Sequence, residues 1–344
     1  RHHRHCQMVS DSHWLSAAGA AAGPRILVTG GTGLVGQAVV AMLLRDFPDC
    51  RPRVPYRGDL GAFHDDPRVE YVRADLTERD SCRGLVADCV GAVLCAATTG
   101  GAAAAARAPS AQVTDNGLID LMLFEGLAAA GVGRVIYMSS AIAYQDYDGR
   151  IHEEDMRWDL DPPLRHFGVA WVKRFAEKML QFWHHQNGLE VQIFRLANVF
   201  GPFAKFAPEN SNVIPALIRK AVDGIDPFIV WGHGAVARDF VYTDDVAEAV
   251  KCAILAKGVG YDVFNIGAGA PTTVAEVTEL ALAAAGHRPS AITYQGDAPT
   301  NVAFRALDCG LAQDRLQWRP RTDIATGMQM TTAWWRENKD WWVK

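Results

Sequence analysis

The chain has 344 residues, with 34 Lys and Arg against 39 Asp and Glu for a net charge of −5, and 49% of it is apolar against 21% charged. That length and apolar share can bury a sizeable core, as two domains or one large domain with a lobe, while the acidic balance lacks the dense cationic patch that nucleic acids and anionic membranes require. No apolar run approaches the roughly 20 residues that cross a bilayer, and the 7 scattered cysteines, odd in number and without metal-ligand spacing, read as reduced thiols, so a cytoplasmic protein without a disulfide framework is the expectation.

Residues 1–23, rich in His and Arg without apolar period, read as a disordered tail or an expression remnant. From Pro24 onward short apolar runs alternate with helical patterns. Strands are expected at 25–29, 53–56, 69–72, 92–97, 134–139 and 191–196, and helices at 34–45, 119–130 and 169–185. This alternation predicts an α/β fold, a doubly wound parallel sheet of Rossmann type covered on both faces. The Ala-rich stretch 102–106 reads as a mobile loop. After Asn198 the chain becomes rich in breakers, while 239–242 and 263–266 look like buried strands returning to the sheet. The expected division is a dinucleotide-binding domain from 24–197 and 238–267, and a smaller substrate-binding lobe from 198–237 and 268–344.

The strongest motif is Val-Thr-Gly-Gly-Thr-Gly-Leu-Val-Gly at 28–36, between an expected strand and an expected helix. Gly31, Gly33 and Gly36 give G-x-G-x-x-G spacing, and Gly30, Gly33 and Gly36 give G-x-x-G-x-x-G. Glycines allow the tight turn and the close approach of backbone to a pyrophosphate, whose charge the helix N-terminal amides meet, so Gly30, Gly33, Leu34, Val35 and Gly36 are candidate cofactor contacts.

Further patterns follow in order: Ala-Asp-Leu at 74–76, Cys-Ala-Ala-Thr at 95–98, Tyr-Met-Ser-Ser-Ala-Ile-Ala-Tyr at 137–144, Arg-Leu-Ala-Asn-Val-Phe-Gly-Pro at 195–202, Arg-Asp-Phe-Val-Tyr-Thr-Asp-Asp-Val at 238–246 and Phe-Asn-Ile-Gly at 264–267. Together with the glycine turn, this series resembles the extended short-chain dehydrogenases/reductases, the NAD-dependent epimerase/dehydratase group acting on nucleotide sugars. The resemblance spans nearly all of the chain after residue 24. It implies that Asp75 and Leu76 contact adenine, that Ala96 and Ala97 lie under the cofactor, and that Asn116 supports the active-site helix, where a capping role is equally compatible. It implies further that Asn198, Arg238 and Arg305 hold the diphosphate of a nucleoside diphosphate hexose, and that the protein is a homodimer through helices near 115–131 and 168–186. The residue ending the second strand decides between NAD and NADP. Arg57 there suits a 2′-phosphate, with Asp59 two residues on, whereas the resemblance implies NAD.

Members of the group use Tyr and Lys at Y-x-x-x-K with a Ser or Thr, because a phenol of pKa about 10 needs a nearby ammonium to serve as a base at neutral pH. By resemblance the Ser is Ser140 and the Lys is Lys173, which also holds the cofactor ribose. The tyrosine position is Val169, which carries no proton. Three readings follow: an impaired or altered epimerase or dehydratase working at the hexose C4; an enzyme in which His166, Tyr144 or Tyr147 handles the proton; or a binding protein for cofactor and ligand. A carbonyl reductase acting on a non-sugar substrate is a further alternative.

Overall fold

A computed structural model of the protein describes residues 23–58, 60, 66–99, 110–296 and 305–342. Residues 1–22 of the expected tail, with Cys6 among them, Asp59 and the loop at 102–106 lie outside the described residues. Seven strands form the main sheet: β1 (Arg25–Thr29), β2 (Arg51–Tyr56), β3 (Glu70–Arg73), β4 (Cys89–Leu94), β5 (Arg134–Ser140), β7 (Glu190–Leu196) and β11 (Tyr261–Ile266), in the order β11-β7-β5-β4-β1-β2-β3. Every pairing in it is parallel. This is the doubly wound α/β fold. Pro55 does not stop β2 from pairing with β3, so Arg57 directly follows a true strand end.

The strand side chains alternate between two apolar cores. On one face, Ile26, Val28, Met138 and Phe194 pack against Val39 and Leu43 of α1 (Leu34–Asp46) and Val246 and Val250 of α6 (Thr243–Leu255). On the other, Leu27, Leu94, Tyr137 and Ile193 meet α2 (Arg79–Val86), α3 (Asn116–Ala129) and α4 (Phe167–Asn187). Burial on both faces is why these strands read as nearly unbroken apolar runs.

A third core joins β8 (Asn198–Phe200), β9 (Phe228–Trp231), which pairs parallel with β13 (Ile292–Gln295), and β10 (Ala237–Tyr242) to α5 (Val213–Val222), α7 (Val274–Ala285) and α9 (Ile324–Asn338). Three expectations need correction here. The strand at 239–242 does not return to the main sheet; it pairs parallel with β8 and antiparallel with β12 (Pro271–Thr273), because Phe240 and Tyr242 belong to the third core and the Asp239 carboxylate accepts from the amides of Ala268, Gly269 and Leu307. The strand expected at 92–97 ends at Leu94, where the chain leaves the sheet with Ala96 donating to Thr29 Oγ1. Residues 268–344 do not all join the small core: Ala312 and Leu316 of α8 (Gly310–Leu316), with Trp318, pack into the main one.

A buried polar network ties α4 to the sheet. Glu177 accepts from Arg195 on β7 (Nη2 at 2.7 Å, Nε at 3.1 Å) and from Ser139 Oγ on β5 at 2.6 Å, with Glu177 0% and Arg195 3% exposed in their side chains. Burial works against the Arg195 charge, but the Glu177 carboxylate outweighs it and raises the guanidinium above its ordinary value. The Arg195 guanidinium lies 4.7 Å from the Tyr144 ring centroid, and Tyr144 Oη donates to Asn265 Oδ1 at 2.7 Å. Asn265 in turn donates to the carbonyls of Ile151 and Asp308, linking β11 to the pair formed by β6 (Gly149–Ile151) and β14 (Arg305–Leu307).

Truncating one partner of such a pair leaves the other charge buried and alone. Glu177→Ala is therefore expected to destabilise the protein by about 3–5 kcal/mol. Denaturant unfolding curves measure this, and a loss below about 1 kcal/mol would deny the pair its structural role.

Candidate active site

The strand order reverses direction between β1 and β4, and beyond the carboxyl ends of these strands opens a cleft of about 870 Å³. Such a switch point is where open parallel sheets bind ligands, since the flanking loops diverge there. The turn after β1, Arg57 after β2, Asp75 and Leu76 after β3, and Cys95 to Thr99 after β4 all line it. So do Ser140 at the end of β5, Lys173 on α4 and Asn198 on β8.

The glycine turn is built for close approach. Gly30 takes φ +66°, which favours glycine, and a Cβ there would sit 2.8 Å from the Ala96 amide nitrogen. A Cβ on Gly36 would come within 2.1 Å of the Gly30 carbonyl oxygen, so Gly36 is needed for α1 to seat against the turn. Gly31 does not line the cleft; a Cβ there would strike Val54. Gly33 is different: a Cβ would meet only the Gly30 carbonyl oxygen, at 3.4 Å, so it would occupy open space in the cleft. Gly33 caps α1 without a side-chain hydrogen bond, and the first turn carries no acidic residue. These amides and this cradle fit a dinucleotide pyrophosphate.

Asp75 has its Oδ1 engaged by the amide and hydroxyl of Thr77, which hold its carboxyl below the usual value. Ala96 and Ala97 form the cleft floor beyond β4. Asn116, 3% exposed, does not cap its helix; it accepts from the Thr98 amide at 2.6 Å and donates to the carbonyls of Thr98 and Gln112. It thereby fixes the backbone of the β4 loop. Lys205, from the small lobe, donates to Thr99 across the cleft.

At the far end, Lys173 Nζ donates at 2.9 Å to Met138 O and at 2.9 Å to Tyr137 Oη, and Tyr137 Oη donates at 2.7 Å to Asp120 Oδ2 on α3. Sequence reasoning missed Tyr137 and Asp120 as partners of this lysine. Ser140 Oγ accepts from the Ile142 amide at 3.3 Å. Val169 stands one turn before Lys173 on α4, partly buried, and is not a lining residue of the cleft.

The phenols considered as substitutes are placed elsewhere. Tyr144 is buried in the Arg195–Asn265 network and its phenol is raised by burial. Tyr147 packs edge-on against Tyr144 and burial pushes it up to about 12. Neither lines the cleft. His166 precedes the first residue of α4, and partial burial together with Arg165, Arg238 and Arg305 lowers its pKa, favouring the neutral ring. Arg238 is likewise lowered, by burial first and then by Arg165 and Arg305. Arg165, missed in the sequence, and Arg305 thus act electrostatically on both His166 and Arg238, and none of the four lines the main cleft. Arg305 donates to Asp146 Oδ1 and the Tyr147 carbonyl; among the described residues Arg238 donates only to the Ala237 carbonyl. Asn198 donates to the Asp239 carbonyl and keeps an exposed face in the cleft.

Comparison with known proteins agrees with this architecture. The sequence profile of the NAD dependent epimerase/dehydratase family matches residues 26–267. A dTDP-glucose 4,6-dehydratase of Streptomyces antibioticus is 29% identical over 327 residues, covering 92% of this chain and 94% of its own. A putative GDP-L-fucose synthase 2 of Oryza sativa is 30% identical over 244 residues, 69% of each chain. Among solved structures, a dTDP-glucose 4,6-dehydratase double mutant of Streptomyces venezuelae with NAD bound superposes with a TM-score of 0.79 at 27% identity, covering 92% of this chain and 98% of that one. The Thermotoga maritima UDP-glucose 4-epimerase with UDP-glucose gives a TM-score of 0.80 at 25% identity, covering 92% and 99%. The chain belongs to the NAD dependent epimerase/dehydratase family.

The two glycines make opposite predictions. Gly33→Val is expected to fold, with a melting temperature near the parent's, and to lose binding of nicotinamide dinucleotide in a calorimetric titration. Gly36→Val is expected not to fold. Binding at parent affinity by Gly33→Val would show that the cradle is not the pyrophosphate site.

Proposed function

We propose that this member of the NAD dependent epimerase/dehydratase family oxidises a nucleoside diphosphate hexose at C4, as an epimerase or dehydratase whose acid–base step is weakened by Val169. One observation carries the reading: a single cleft at the sheet's switch point gathers the glycine cradle, Ser140, Lys173 and Asn198, while position 169 offers no proton-bearing group. The family, and relatives that by name act on nucleotide sugars, support the substrate class. A dinucleotide-binding body and a substrate-binding lobe would then face each other across the cleft, with Arg238, Arg305 and Arg165 supplying the positive field for the diphosphate.

The bound dinucleotide supplies the hydride acceptor. The residues do the rest. Gly30, Gly33, Leu34, Val35 and Gly36 seat its pyrophosphate, Asp75 and Leu76 border the adenine, and Lys173 and Ser140 face the reacting end. Arg57, exposed at the end of β2, can meet a 2′-phosphate, whereas the NAD-bearing relative supports NAD. The second reading, a binding protein without turnover, rests on Val169 alone.

The proposed homodimer rests on a line of exposed aromatics on α4, Phe167, Trp171, Phe175 and Phe182, which share one helix face. Sedimentation at micromolar concentration is expected to show a dimer that Phe175→Glu dissociates; a monomeric parent would refute it.

General acid–base help is typically worth roughly 10²–10⁴-fold. Val169→Tyr is therefore expected to raise turnover on the cognate nucleotide sugar by about that range, read as reduced-cofactor absorbance or sugar product, with cofactor affinity unchanged. No gain over an active parent would remove Val169 as the cause of any deficit. His166→Ala separates the remaining histidine reading, which predicts that activity vanishes while cofactor still binds. Arg57→Asp is expected to lower affinity for NADP relative to NAD by about tenfold or more; an unchanged ratio excludes Arg57 as the discriminator.

A further inference from the structure

Behind the cleft lies a chain of three buried polar side chains: Lys173 Nζ to Tyr137 Oη at 2.9 Å, then Tyr137 Oη to Asp120 Oδ2 at 2.7 Å. All are nearly inaccessible, with Lys173 8%, Tyr137 1% and Asp120 4% exposed. Nζ also donates to the Met138 carbonyl, which leaves one of its three donor positions for the cleft that Lys173 lines. We propose that Lys173, Tyr137 and Asp120 form one proton-handling unit that supplies the acid–base step which Val169 cannot. The proposal rests on the sugar-oxidation reading above.

The chemistry follows from the geometry. A proton leaves the Lys173 ammonium for Tyr137 Oη as the phenol proton moves to Asp120 Oδ2, so one N–H bond breaks, the phenol is restored, and the carboxyl gains an O–H. The resting unit is then a neutral amine, a phenol and a neutral carboxyl, which suits a dry core better than two separated charges. Burial lowers Lys173 against the opposing pull of Asp120 and Glu177, and burial raises Asp120 against Lys173 and Tyr137; both directions favour this uncharged form. Tyr137 is raised well above its ordinary value, by burial and then by Asp120, so it passes protons without ionising. The other groups facing Lys173 do not compete: Glu177 is paired with Arg195, and burial pushes the Cys95 thiol up to about 12.

A bound oxidised nicotinamide dinucleotide would supply the hydride acceptor, so that the C–H bond of the substrate carbinol breaks with its electron pair leaving as hydride. The hydroxyl O–H breaks as well, its electrons form the carbonyl, and the proton joins the Nζ lone pair, which the relay leaves facing Tyr137 Oη and which rotation about the Cε–Nζ bond turns to the cleft. Lys173 thereby passes from amine to ammonium, gaining the one positive charge that a hydride acceptor of this kind would give up, so the net charge of the site is conserved. Lys173 is the catalytic residue; Tyr137 and Asp120 act through it.

Infrared difference spectroscopy on the ligand-free protein at neutral pH tests the unit without turnover. A protonated-carboxyl band that Asp120→Asn abolishes is expected, together with a neutral Lys173 amine in lysine-labelled NMR. An ionised carboxylate beside a charged ammonium overturns the proposal, whatever the substrate. In kinetics, Tyr137→Phe keeps the ring edge-on to Phe124 and removes only the relay oxygen. It is expected to cut the parent's kcat by about tenfold or more, leave KM within about twofold, and shift the acidic limb of the pH profile; Asp120→Asn should do the same. An unchanged kcat and pH profile in both variants overturns the proposal as well. If the carboxyl band is present but neither the parent nor Val169→Tyr turns over any nucleotide sugar, the sugar reading falls and the unit's catalytic role falls with it.

Discussion

The buried pair Glu177–Arg195 sets the register of everything around the site. Desolvating two charges is costly, and a well-packed apolar pair could replace them with little loss. What the apolar pair could not do is choose one placement of α4 over another. Two hydrogen bonds from Arg195 and one from Ser139 converge on the same carboxylate, so α4 is fixed to β7 and β5 at a single point. Lys173, one turn earlier on the helix, inherits its position from that point.

The same network explains why separate stretches of sequence carry related patterns. Ser139 and Tyr144 come from the serine strand and its exit, Arg195 from the segment that opens the breaker-rich region, and Asn265 from the last strand of the sheet. Each looks like a functional motif when read alone. In the structure they form one continuous path from α4 through the sheet to β6 and β14, which border the small lobe. Asp239 works in parallel, holding three backbone amides where β10 leaves for the third core. These residues act as a frame on which the cleft depends, and Arg238, Arg305 and Asn198 ride on it.

Much of the frame was legible because apolar periodicity and glycine spacing are local signals. The glycine turn, the strands expected at 25–29 and 134–139 and the long helix α4 follow from residues adjacent in sequence. The end of β4 was misplaced because Ala96 and Ala97 continue an apolar run after the backbone has left the sheet. The destination of 239–242 was misjudged because an apolar run does not say which of two cores it fills. Tyr137 and Asp120 escaped notice for another reason: their meeting with Lys173 joins β5, α3 and α4, and no spacing within one element reveals it. A trace was present. Asp120 is a lone carboxylate inside the otherwise apolar run Leu118 to Phe124, and Tyr137 shares the strand face of Ser139.

The separation of these parts bears on what the change at 169 can cost. A valine one turn before Lys173 touches neither the Glu177 carboxylate nor the glycine cradle, so the lysine keeps its place and the cleft its shape. On the proposed reading, a valine in place of a phenol therefore removes a proton carrier without loosening the site around it. On the readings proposed above, binding depends on backbone amides and glycines at one end of the cleft, and proton chemistry on three side chains buried at the other. The two sets share no residue, so on that reading a change at 169 would cost a rate, whereas breaking the frame would cost folding.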